Sequence, residues 1–348
     1  MKASQWQSLL DWYEQNWQQR DLPWRRESTP YHVWISEIML QQTRAKAVIP
    51  YYHRFLERLP DIASLAACPD DDLLKLWEGL GYYSRARNLK KAAQVILDSY
   101  NGRMPFSPEE LAKLPGIGPY TAGAIASICF GANVPAVDGN VLRVVSRLEA
   151  IREDILLPQT KKQITELLLQ TMPREKAGAF NQAMMDLGAT ICLPGSKALC
   201  VACPLQRFCK ACQLQLTDQI PLRSGRIQRK TEQKTVLVIR DGVRFLVRKR
   251  PEKGLLAGMY ELPLITGFVP EKEVLAFAQG LSLYPVRLQE LPASKHIFTH
   301  LEWHMHGFLL LVEELPDNCG PFTAASRDEI EGRYAIPSAF RAYKPYIR

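Results

Sequence analysis

The sequence has no long hydrophobic run, and none of its apolar stretches approaches the ~18 residues that a membrane-spanning helix requires. Its first residues, MKASQWQSLLDWYEQ, also lack the apolar segment of a secretory signal peptide. A cytoplasmic protein is therefore expected. Internal repeats and low-complexity tracts are absent too, which excludes a repeat architecture.

Acidic residues are in the minority: the 348 residues include 36 Asp and Glu against 44 Lys and Arg, a net charge of +8. This excess fits a polyanionic partner, because each phosphate contact releases counterions. A mild basic excess is also common on ordinary protein surfaces, so charge alone assigns no partner. The 47% hydrophobic and 23% charged content is that of a globular protein. The length suggests two domains.

The chain changes character after residue 212. Residues 1–212 are predicted to be almost wholly helical, with Pro or Gly between helices at 6–17, 31–48, 51–58, 72–80, 84–99, 109–114, 120–130, 140–148, 159–170 and 176–190. Residues 213–234 are basic without apolar periodicity and are predicted to be an interdomain linker. Apolar runs at 235–239 and 243–247 then flank Asp241-Gly242, a strong hairpin signal. Residues 235–348 are therefore predicted to form a separate α+β domain.

The most informative stretch is LPGIGPYTAGAIASICFGANVPAVDGN, residues 114–140. Gly116 and Gly118 permit a tight turn and leave amide groups at the start of the next helix, where a phosphate is readily held. The stretch resembles the helix-hairpin-helix of DNA repair glycosylases, which grip the DNA backbone. Asp138, in Val-Asp-Gly-Asn, matches the catalytic aspartate of that superfamily. Its alternative role is the N-cap of the following helix, and the two roles are compatible.

Five of the eight cysteines lie within 21 residues, a density that indicates a metal site and not disulfides in a cytoplasmic protein. A [4Fe–4S] cluster takes four thiolates. Repair glycosylases that carry one use C-x6-C-x2-C-x5-C, and the predicted ligands here are Cys192, Cys200, Cys203 and Cys209, with seven residues in the first gap. The alternative is a zinc knot in which Cys212 replaces Cys192, although its five-residue spacer is short for zinc.

Glu37 is the one carboxylate in the apolar helix VWISEIMLQQTR, residues 33–44. Apolar neighbours disfavour a charged carboxyl, so its pKa should rise and it can act as a general acid near neutrality. The alternative is an ordinary Glu in the first turn of a helix, favoured by the helix dipole.

Several blocks together resemble the MutY family of adenine DNA glycosylases over nearly the whole chain. These blocks are LPWR (22–25), WISEIMLQQTR (34–44), WEGLGYYSRARNL (77–89), LPGIGPYTAGAI (114–125), PAVDGNVLRV (135–144), FNQAMMDLGATIC (180–192) and the cysteine loop. Bifunctional relatives such as endonuclease III have an attacking lysine in the hairpin, where this chain has Tyr120. A tyrosine has no amine to form a Schiff base. The resemblance therefore implies a monofunctional glycosylase.

The resemblance also implies roles for residues. Adenine would flip out of the DNA stack into a pocket. There Glu37 would protonate N7 of the adenine, and Asp138 would stabilise the oxocarbenium-like sugar. Tyr120 and Asn140 would orient these two carboxyl groups. The implied adenine pocket is lined by Trp24, Arg25, Leu40, Gln182 and Met185. The residues implied to contact the opposite purine are Gln42, Thr43, Leu80 and Tyr82. Core packing is the ordinary alternative for Trp24 and Tyr82.

The C-terminal region resembles the Nudix-like domain of the same family. It lacks the run of glutamates that holds Mg²⁺ in Nudix hydrolases, so it should recognise DNA and not hydrolyse nucleotides. Residues 297–307 alternate like a half-buried strand, and Phe298, Thr299 and His300 form a loop that resembles the family's reader of oxidised guanine. The alternatives for the histidines around this loop are that they form a solvated face or a metal site.

The resemblance implies a monomer that excises adenine from double-stranded DNA opposite 8-oxoguanine or guanine, acting on chromosomal DNA. Two other functions remain open at this point. One is a lyase-active enzyme of the endonuclease III type. The other is a non-catalytic DNA-binding iron–sulfur protein, against which the presence of both Glu37 and Asp138 argues.

Overall fold

A computed structural model describes residues 3–225 and 228–347. The chain divides into two compact units, one combining residues 1–67 with 88–225 and the other combining 68–87 with 226–348. All the strands lie in the second unit, which also takes in α-helical residues 70–76 and the start of the helix Ser84–Tyr100. The predicted domain limits at 212 and 235 stay predictions.

Residues 3–213 are mainly helical, as predicted. The α-helices are α1 (Ala3–Asn16), α2 (Pro23–Arg26), α3 (Pro30–Leu40), α4 (Ala45–Arg58), α5 (Ile62–Ala67), α6 (Asp70–Leu76), α7 (Ser84–Tyr100), α8 (Pro108–Leu111), α9 (Pro119–Phe130), α10 (Gly139–Glu149), α11 (Pro158–Thr171), α12 (Ala177–Thr190) and α13 (Lys210–Gln213). Short 3₁₀ turns occupy Trp17–Arg20, Arg174–Lys176, Gly195–Lys197, Cys200–Ala202 and Gln206–Phe208. No helix of the described residues is long and apolar enough to cross a membrane.

The predicted helix over 31–48 is wrong. Helix α3 ends at Leu40, and Gln42 takes a left-handed backbone with φ of 58° that no α-helix can continue through. A new helix, α4, then runs from Ala45 to Arg58, so the separate helix predicted at 51–58 is wrong as well. The break places residues 41–44 in a turn at the C-terminal end of α3.

The core of the helical unit forms where α1, α10, α11 and α12 bury their apolar faces against one another. Trp6 of α1 meets Phe180 of α12 edge-on, with ring centroids 5.0 Å apart. Val145 of α10 and Leu187 of α12 are fully buried in the same cluster. This packing fixes α10 and α12, the two helices that carry Asp138 at an end and Gln182 along a face.

The second unit contains one mixed sheet. Its strands are β1 (Lys230–Arg240), β2 (Arg244–Lys249), β3 (Tyr260–Glu261), β4 (Leu264–Thr266), β5 (Pro285–Ile297), β6 (Leu301–Val312), β7 (Asn318–Cys319) and β8 (Phe322–Ser326). The order is β5-β6-β1-β2-β8-β7, with β1 and β6 parallel and with β3 and β4 paired to β2 and β1. Two helices, α14 (Glu271–Gly280) and α15 (Arg327–Gly332), and two 3₁₀ turns, Ser338–Phe340 and Lys344–Ile347, accompany the sheet.

The predicted hairpin at Asp241-Gly242 is confirmed, since β1 and β2 pair antiparallel with Arg240 opposite Phe245. The alternation in residues 301–306 is also confirmed, with Trp303 and Met305 buried. Strand β1 begins at Lys230, five positions before the predicted strand, because it pairs with β6 from Lys230 onward. Strand β5 was not predicted from the sequence.

Residues 68–87 belong to the second unit through ion pairs and hydrogen bonds. Lys249 Nζ lies 2.6 Å from Asp71 Oδ1. Lys75 donates to the carbonyls of Ile330 and Tyr334 at 3.0 and 3.2 Å. These contacts join α6 and the turn after it to the sheet-containing unit.

Candidate active site

Glu37 lies in the last turn of α3, so the first-turn alternative is wrong and the helix dipole does not favour its charge. Its side chain is buried, with 5% exposed. Burial raises the pKa of Glu37 to about 7, against a hydrogen bond from Tyr120 that lowers it, and the charge of Asp138 raises it further. Glu37 can therefore hold a proton at neutral pH and release it to a bound base.

Asp138 caps the N-terminus of α10. Its Oδ1 accepts from the backbone N–H groups of Asn140 and Val141 at 2.9 and 2.8 Å. Its Oδ2 accepts from Asn140 Nδ2 at 2.8 Å. The capping role is thus confirmed, and it fixes the orientation of the carboxylate. Burial raises the pKa of Asp138, while the hydrogen bonds from the helix oppose that shift.

Tyr120 links the hairpin to Glu37. It lies in the first turn of α9, and its hydroxyl donates to Glu37 Oε2 at 2.7 Å. Its oxygen is also 3.8 Å from Met185 Sδ. Burial raises the pKa of Tyr120 well above 10, so it acts as a neutral hydrogen-bond donor.

These groups face a cavity of about 270 Å³ in the helical unit. The cavity is of a size for one small planar ligand. All five predicted adenine-pocket residues line it together with Glu37, Tyr120, Asp138 and Asn140: they are Trp24, Arg25, Leu40, Gln182 and Met185. A second cavity of about 550 Å³ shares Glu37 and Asp138 with the first and is also lined by Gln42 and Thr43.

The floor of the first cavity holds a charged cluster that the sequence did not reveal. Asp186, whose side chain is 2% exposed, accepts from Arg25 Nη1 and Nη2 at 2.6 and 2.8 Å. Arg20 also pairs with Asp186. Tyr13 donates its hydroxyl hydrogen to Gln182 Oε1. Two pocket residues are thus oriented by partners on other helices. The one available signal was the spacing of Gln182 and Asp186, which places both on the same face of α12.

The two glycines of the hairpin differ in whether the structure leaves room for a side chain. Gly116 has a φ of 79°, and a Cβ there would lie 2.7 Å from the Cβ of Asn88, so only glycine fits. Gly118 is the N-cap of α9 with a φ of −87° and has nothing within 4 Å of an added Cβ. Gly118 therefore leaves space at the helix start, where an anion is favoured.

The residues predicted to contact the opposite purine are divided between the units. Gln42 and Thr43 line the second cavity of the helical unit. In the sheet-containing unit, Tyr82 is 46% exposed with a φ of 48°, and its hydroxyl lies 3.2 Å from Thr299 Oγ1. Leu80 is buried.

The predicted loop between β5 and β6 is confirmed. Phe298 anchors it, with its ring 5.1 Å from that of Trp303 and its N–H bonded to the carbonyl of Leu301 at 2.8 Å. His300 is exposed, and its carbonyl accepts from Lys230 N–H at 3.2 Å. The loop thus has an apolar anchor and a polar outer part.

The four predicted cysteine ligands line one small cavity with Cys212, between α10, the end of α12 and α13: the set is Cys192, Cys200, Cys203, Cys209 and Cys212. As placed, no three His, Cys, Asp or Glu side chains in the described residues converge on a single-ion site. Burial raises the pKa of Cys203 to about 12 and that of Cys209 to about 11, a shift that a bound cation would reverse.

The same cavity is lined by Arg147, which is 1% exposed. Its Nη1 donates to Leu193 O at 2.7 Å and lies 3.3 Å from Cys192 Sγ. Among the described residues no carboxylate pairs with it. A buried guanidinium directed at a thiol fits an anionic thiolate centre, because thiolates supply the missing negative charge.

A hydrogen-bonded chain connects Asp138 with this cavity. Asn140 Oδ1 accepts from Arg143 Nη2 at 2.9 Å, and Arg143 Nε donates to the carbonyl of Cys192 at 2.8 Å. Arg143 is 8% exposed. The two sites of the helical unit therefore share α10 as a common support.

Comparison with known proteins agrees with this geometry. Residues 35–174 match the family model of the HhH-GPD superfamily base excision DNA repair proteins, and residues 235–344 match that of the NUDIX domain. The structure of a thermostable thymine-DNA glycosylase superposes on 60% of this chain and 95% of its own, with a TM-score of 0.54 and 29% identity. The fold and site thus define a helix-hairpin-helix DNA glycosylase with an added Nudix-like domain.

Closer relatives are adenine DNA glycosylases. The mouse enzyme is 35% identical, covering 90% of this chain and 72% of the relative. The enzyme of Buchnera aphidicola subsp. Baizongia pistaciae is 36% identical, covering 89% of this chain and 87% of the relative. The chain belongs to the adenine DNA glycosylase family. It is accordingly a DNA-repair enzyme that hydrolyses the N-glycosidic bond of adenine.

Proposed function

We propose that the protein acts as a monomer on double-stranded chromosomal DNA and removes adenine mispaired with 8-oxoguanine or guanine. The observation that carries the proposal is the pairing of two unlike carboxyl groups across one adenine-sized cavity. Burial raises the pKa of both groups, that of Glu37 to about 7, but Asp138 alone accepts three hydrogen bonds from α10, which oppose the shift and favour its charged form. Carboxyl groups whose environments differ in this way serve as acid and as charge stabiliser.

The mechanism begins with the flipping of adenine out of the DNA stack into the cavity. Glu37 protonates N7 of the base, which makes it a better leaving group. Tyr120, as a neutral donor, holds Glu37 in position. As the N-glycosidic bond breaks, Asp138 stabilises the oxocarbenium-like sugar or bonds to it transiently, with Asn140 fixing its orientation. Water then completes hydrolysis.

Selection of the base depends on polar and apolar side chains that line the first cavity. Gln182 offers an amide to the edge of the adenine, and its Oε1 is already bonded to Tyr13. Its Nε2 is therefore the group left to meet a hydrogen-bond acceptor of the base. Arg25, held by both oxygens of Asp186, supplies a fixed donor, while Trp24, Leu40 and Met185 provide apolar surface.

Recognition of the opposite purine is assigned to four residues of the glycosylase blocks and to the loop at 298–300. These four residues are Gln42, Thr43, Leu80 and Tyr82. Thr299 can donate to or accept from a base edge. Phosphate contact is assigned to the hairpin at Gly116 and Gly118. We place the catalytic region at 1–212 and the recognition domain at 235–348, with 213–234 between them.

The cysteine cavity is assigned to a [4Fe–4S] cluster held by Cys192, Cys200, Cys203 and Cys209. Four cysteine side chains support this assignment, as does the buried guanidinium of Arg147, which donates to backbone carbonyls and pairs with no carboxylate in the described part of the chain. When bound, such a cluster links the loop of residues 192–209 through four iron–sulfur bonds.

The proposal is tested by single-turnover base release from duplexes carrying A:8-oxoguanine, A:G or A:T. We expect release from the first two and little from the third, with strand nicking only after alkali. Equal release from A:T would overturn the assigned mispairs. Nicking without alkali would instead support the lyase alternative.

A further inference from the structure

The two carboxyl groups of the candidate active site belong to separate parts of the helical unit. Glu37 lies on α3 and is bonded to Tyr120 of α9. Asp138 follows residues 131–137, a connecting segment between α9 and α10 that forms neither helix nor strand. The placement of one carboxyl group relative to the other therefore depends on how this connecting segment is held against α9.

Asn181 of α12 bonds to the backbone of the connecting segment. Its side chain is 2% exposed, and its Oδ1 accepts from Ala136 N–H at 3.0 Å. Its Nδ2 donates to the carbonyl of Val134 at 2.9 Å. Buried backbone groups need such partners, and a segment without helix or strand cannot supply them through regular structure. One buried amide thus fixes the backbone two residues before Asp138.

The same amide also bonds to α9. Asn181 Nδ2 donates to Ser127 Oγ at 2.8 Å, and Ser127 Oγ donates to the carbonyl of Gly123 at 2.7 Å. The helix and the segment are in close contact there, since a Cβ at Gly123 would lie 2.8 Å from the carbonyl oxygen of Pro135. One side chain thus joins the connecting segment to the helix whose first turn holds the partner of Glu37.

We propose that Asn181 is a positioning residue for adenine excision, which holds Asp138 in place across the cavity from Glu37 by fastening the connecting segment to α9. Asn181 is not among the described residues that line either cavity, so it acts through the groups that it holds. A displacement of about 1 Å at a reacting group can cost about 10²-fold in rate. The inference rests on the proposed roles of Glu37 and Asp138.

The pH profile of excision reports whether Asp138 stays near Glu37. The charge of Asp138 raises the pKa of Glu37, while Tyr120 and Arg25 lower it. If Asp138 moves away, its effect weakens, and the loss of excision with rising pH should begin at a lower pH. A substitution that only destabilises the fold would leave this profile unchanged.

The test is single-turnover excision from an A:8-oxoguanine duplex, followed across neutral pH in the full-length protein. Asn181→Leu keeps the number of side-chain heavy atoms but makes no hydrogen bond. Ser127→Ala removes the link to α9 and leaves both bonds to the connecting segment. Leu168→Ala, which opens a space in the buried core at α11, is the control for lost stability.

We expect Asn181→Leu to lose about 10- to 100-fold in rate, with its pH profile shifted to lower pH. Its dissociation constant for the product DNA, measured by fluorescence anisotropy, should be nearly unchanged. Ser127→Ala should show the same changes to a smaller extent. Leu168→Ala should have a lower urea midpoint but the rate and pH profile of the native protein.

A native rate and pH profile in Asn181→Leu, with a urea midpoint lowered as in Leu168→Ala, would overturn the inference, because Asn181 would then only stabilise the fold. If circular dichroism shows that Asn181→Leu does not fold, Ser127→Ala decides the point, and an unchanged rate and profile would contradict the inference. Native excision that does not vary with pH would instead contradict the acid role of Glu37. The rate of Asn181→Leu relative to that of Leu168→Ala would then decide whether Asn181 positions Asp138.

Discussion

The cavity of the helical unit and the loop of the sheet-containing unit hold their polar side chains in opposite ways. In the cavity, Glu37, Asp138 and Gln182 are each fixed by a partner on the same or another helix. In the loop, the one side-chain partner of Thr299 among residues 3–225 and 228–347 is the hydroxyl of the exposed Tyr82. Bond cleavage needs groups that are already oriented and shielded from water. Recognition needs groups that can exchange a weak partner for a base.

This contrast between the cavity and the loop predicts that the largest loss of excision follows a substitution of Glu37. Glu37→Gln keeps the shape of the side chain but cannot donate the proton, so single-turnover excision should fall by about 10³- to 10⁴-fold. DNA binding, measured by fluorescence anisotropy, should be nearly unchanged. Glu57→Gln, which alters an exposed carboxylate of α4, is the control. Near-native excision by Glu37→Gln would remove this residue from the acid role.

Stability of the same variant gives an independent check. The raised pKa of Glu37 means that its stabilising contribution is complete at low pH and is lost as pH rises through about 7. The urea midpoint of Glu37→Gln should therefore exceed that of the native protein at pH 8 but not at pH 4. A midpoint difference that does not vary with pH would contradict the buried-acid assignment.

Asp138→Asn separates the effect of the negative charge on excision from the effect of helix capping on stability. Asparagine caps helices as well as aspartate does, so the free energy of unfolding should change little. Excision should fall by about 10²- to 10³-fold because the positive charge on the sugar is no longer stabilised. Asp138→Ala should be equally inactive and less stable by about 1 kcal/mol. If Asp138→Asn retains turnover, the carboxylate serves only as a cap.

Tyr120→Phe should shift the pH profile of excision. If Glu37 is the proposed acid, the rate should fall as pH rises through about 7, because only its protonated form can donate. The hydrogen bond from Tyr120 lowers the pKa of Glu37, so its removal should move that fall to higher pH. Tyr100→Phe removes a similar 2.7 Å bond, to the half-buried Glu110 outside the cavity, and is the control. An unchanged profile would mean that Tyr120 only packs.

The sequence predicted those parts of the site that lie within short motifs. Asp138 and the hairpin glycines are local signals, since a cap or a tight turn depends on a few adjacent residues. The Asp186 cluster is different, because Arg20 and Arg25 reach it only after the 3₁₀ turn Trp17–Arg20 and α2 pack against α12. No local pattern records such a contact.

Two errors in the fold prediction have different physical origins. The break after Leu40 contains neither Gly nor Pro, and Gln42 takes its left-handed conformation in the folded context. Strand β5 was missed because it lies at the sheet edge, where Leu291 is its one fully buried residue. An edge strand with few buried positions lacks the alternation that identifies a strand.

The smallest expected effect tests the loop. Thr299→Ala removes one hydroxyl, and a hydrogen bond is worth about 1 kcal/mol, so excision opposite 8-oxoguanine should fall about fivefold. Excision opposite guanine should fall less if Thr299 contacts the oxidised base.

Tyr82→Phe, alone and combined with Thr299→Ala, shows whether the two hydroxyls act on DNA separately or mainly on each other. Additive losses indicate separate contacts with DNA, whereas a double variant no worse than either single one indicates that their mutual bond matters. Thr323→Ala, an exposed threonine of β8, is the control. Equal losses opposite both purines would limit the loop to general DNA affinity, and the contrast between a fixed cavity and an adaptable reader would then no longer hold.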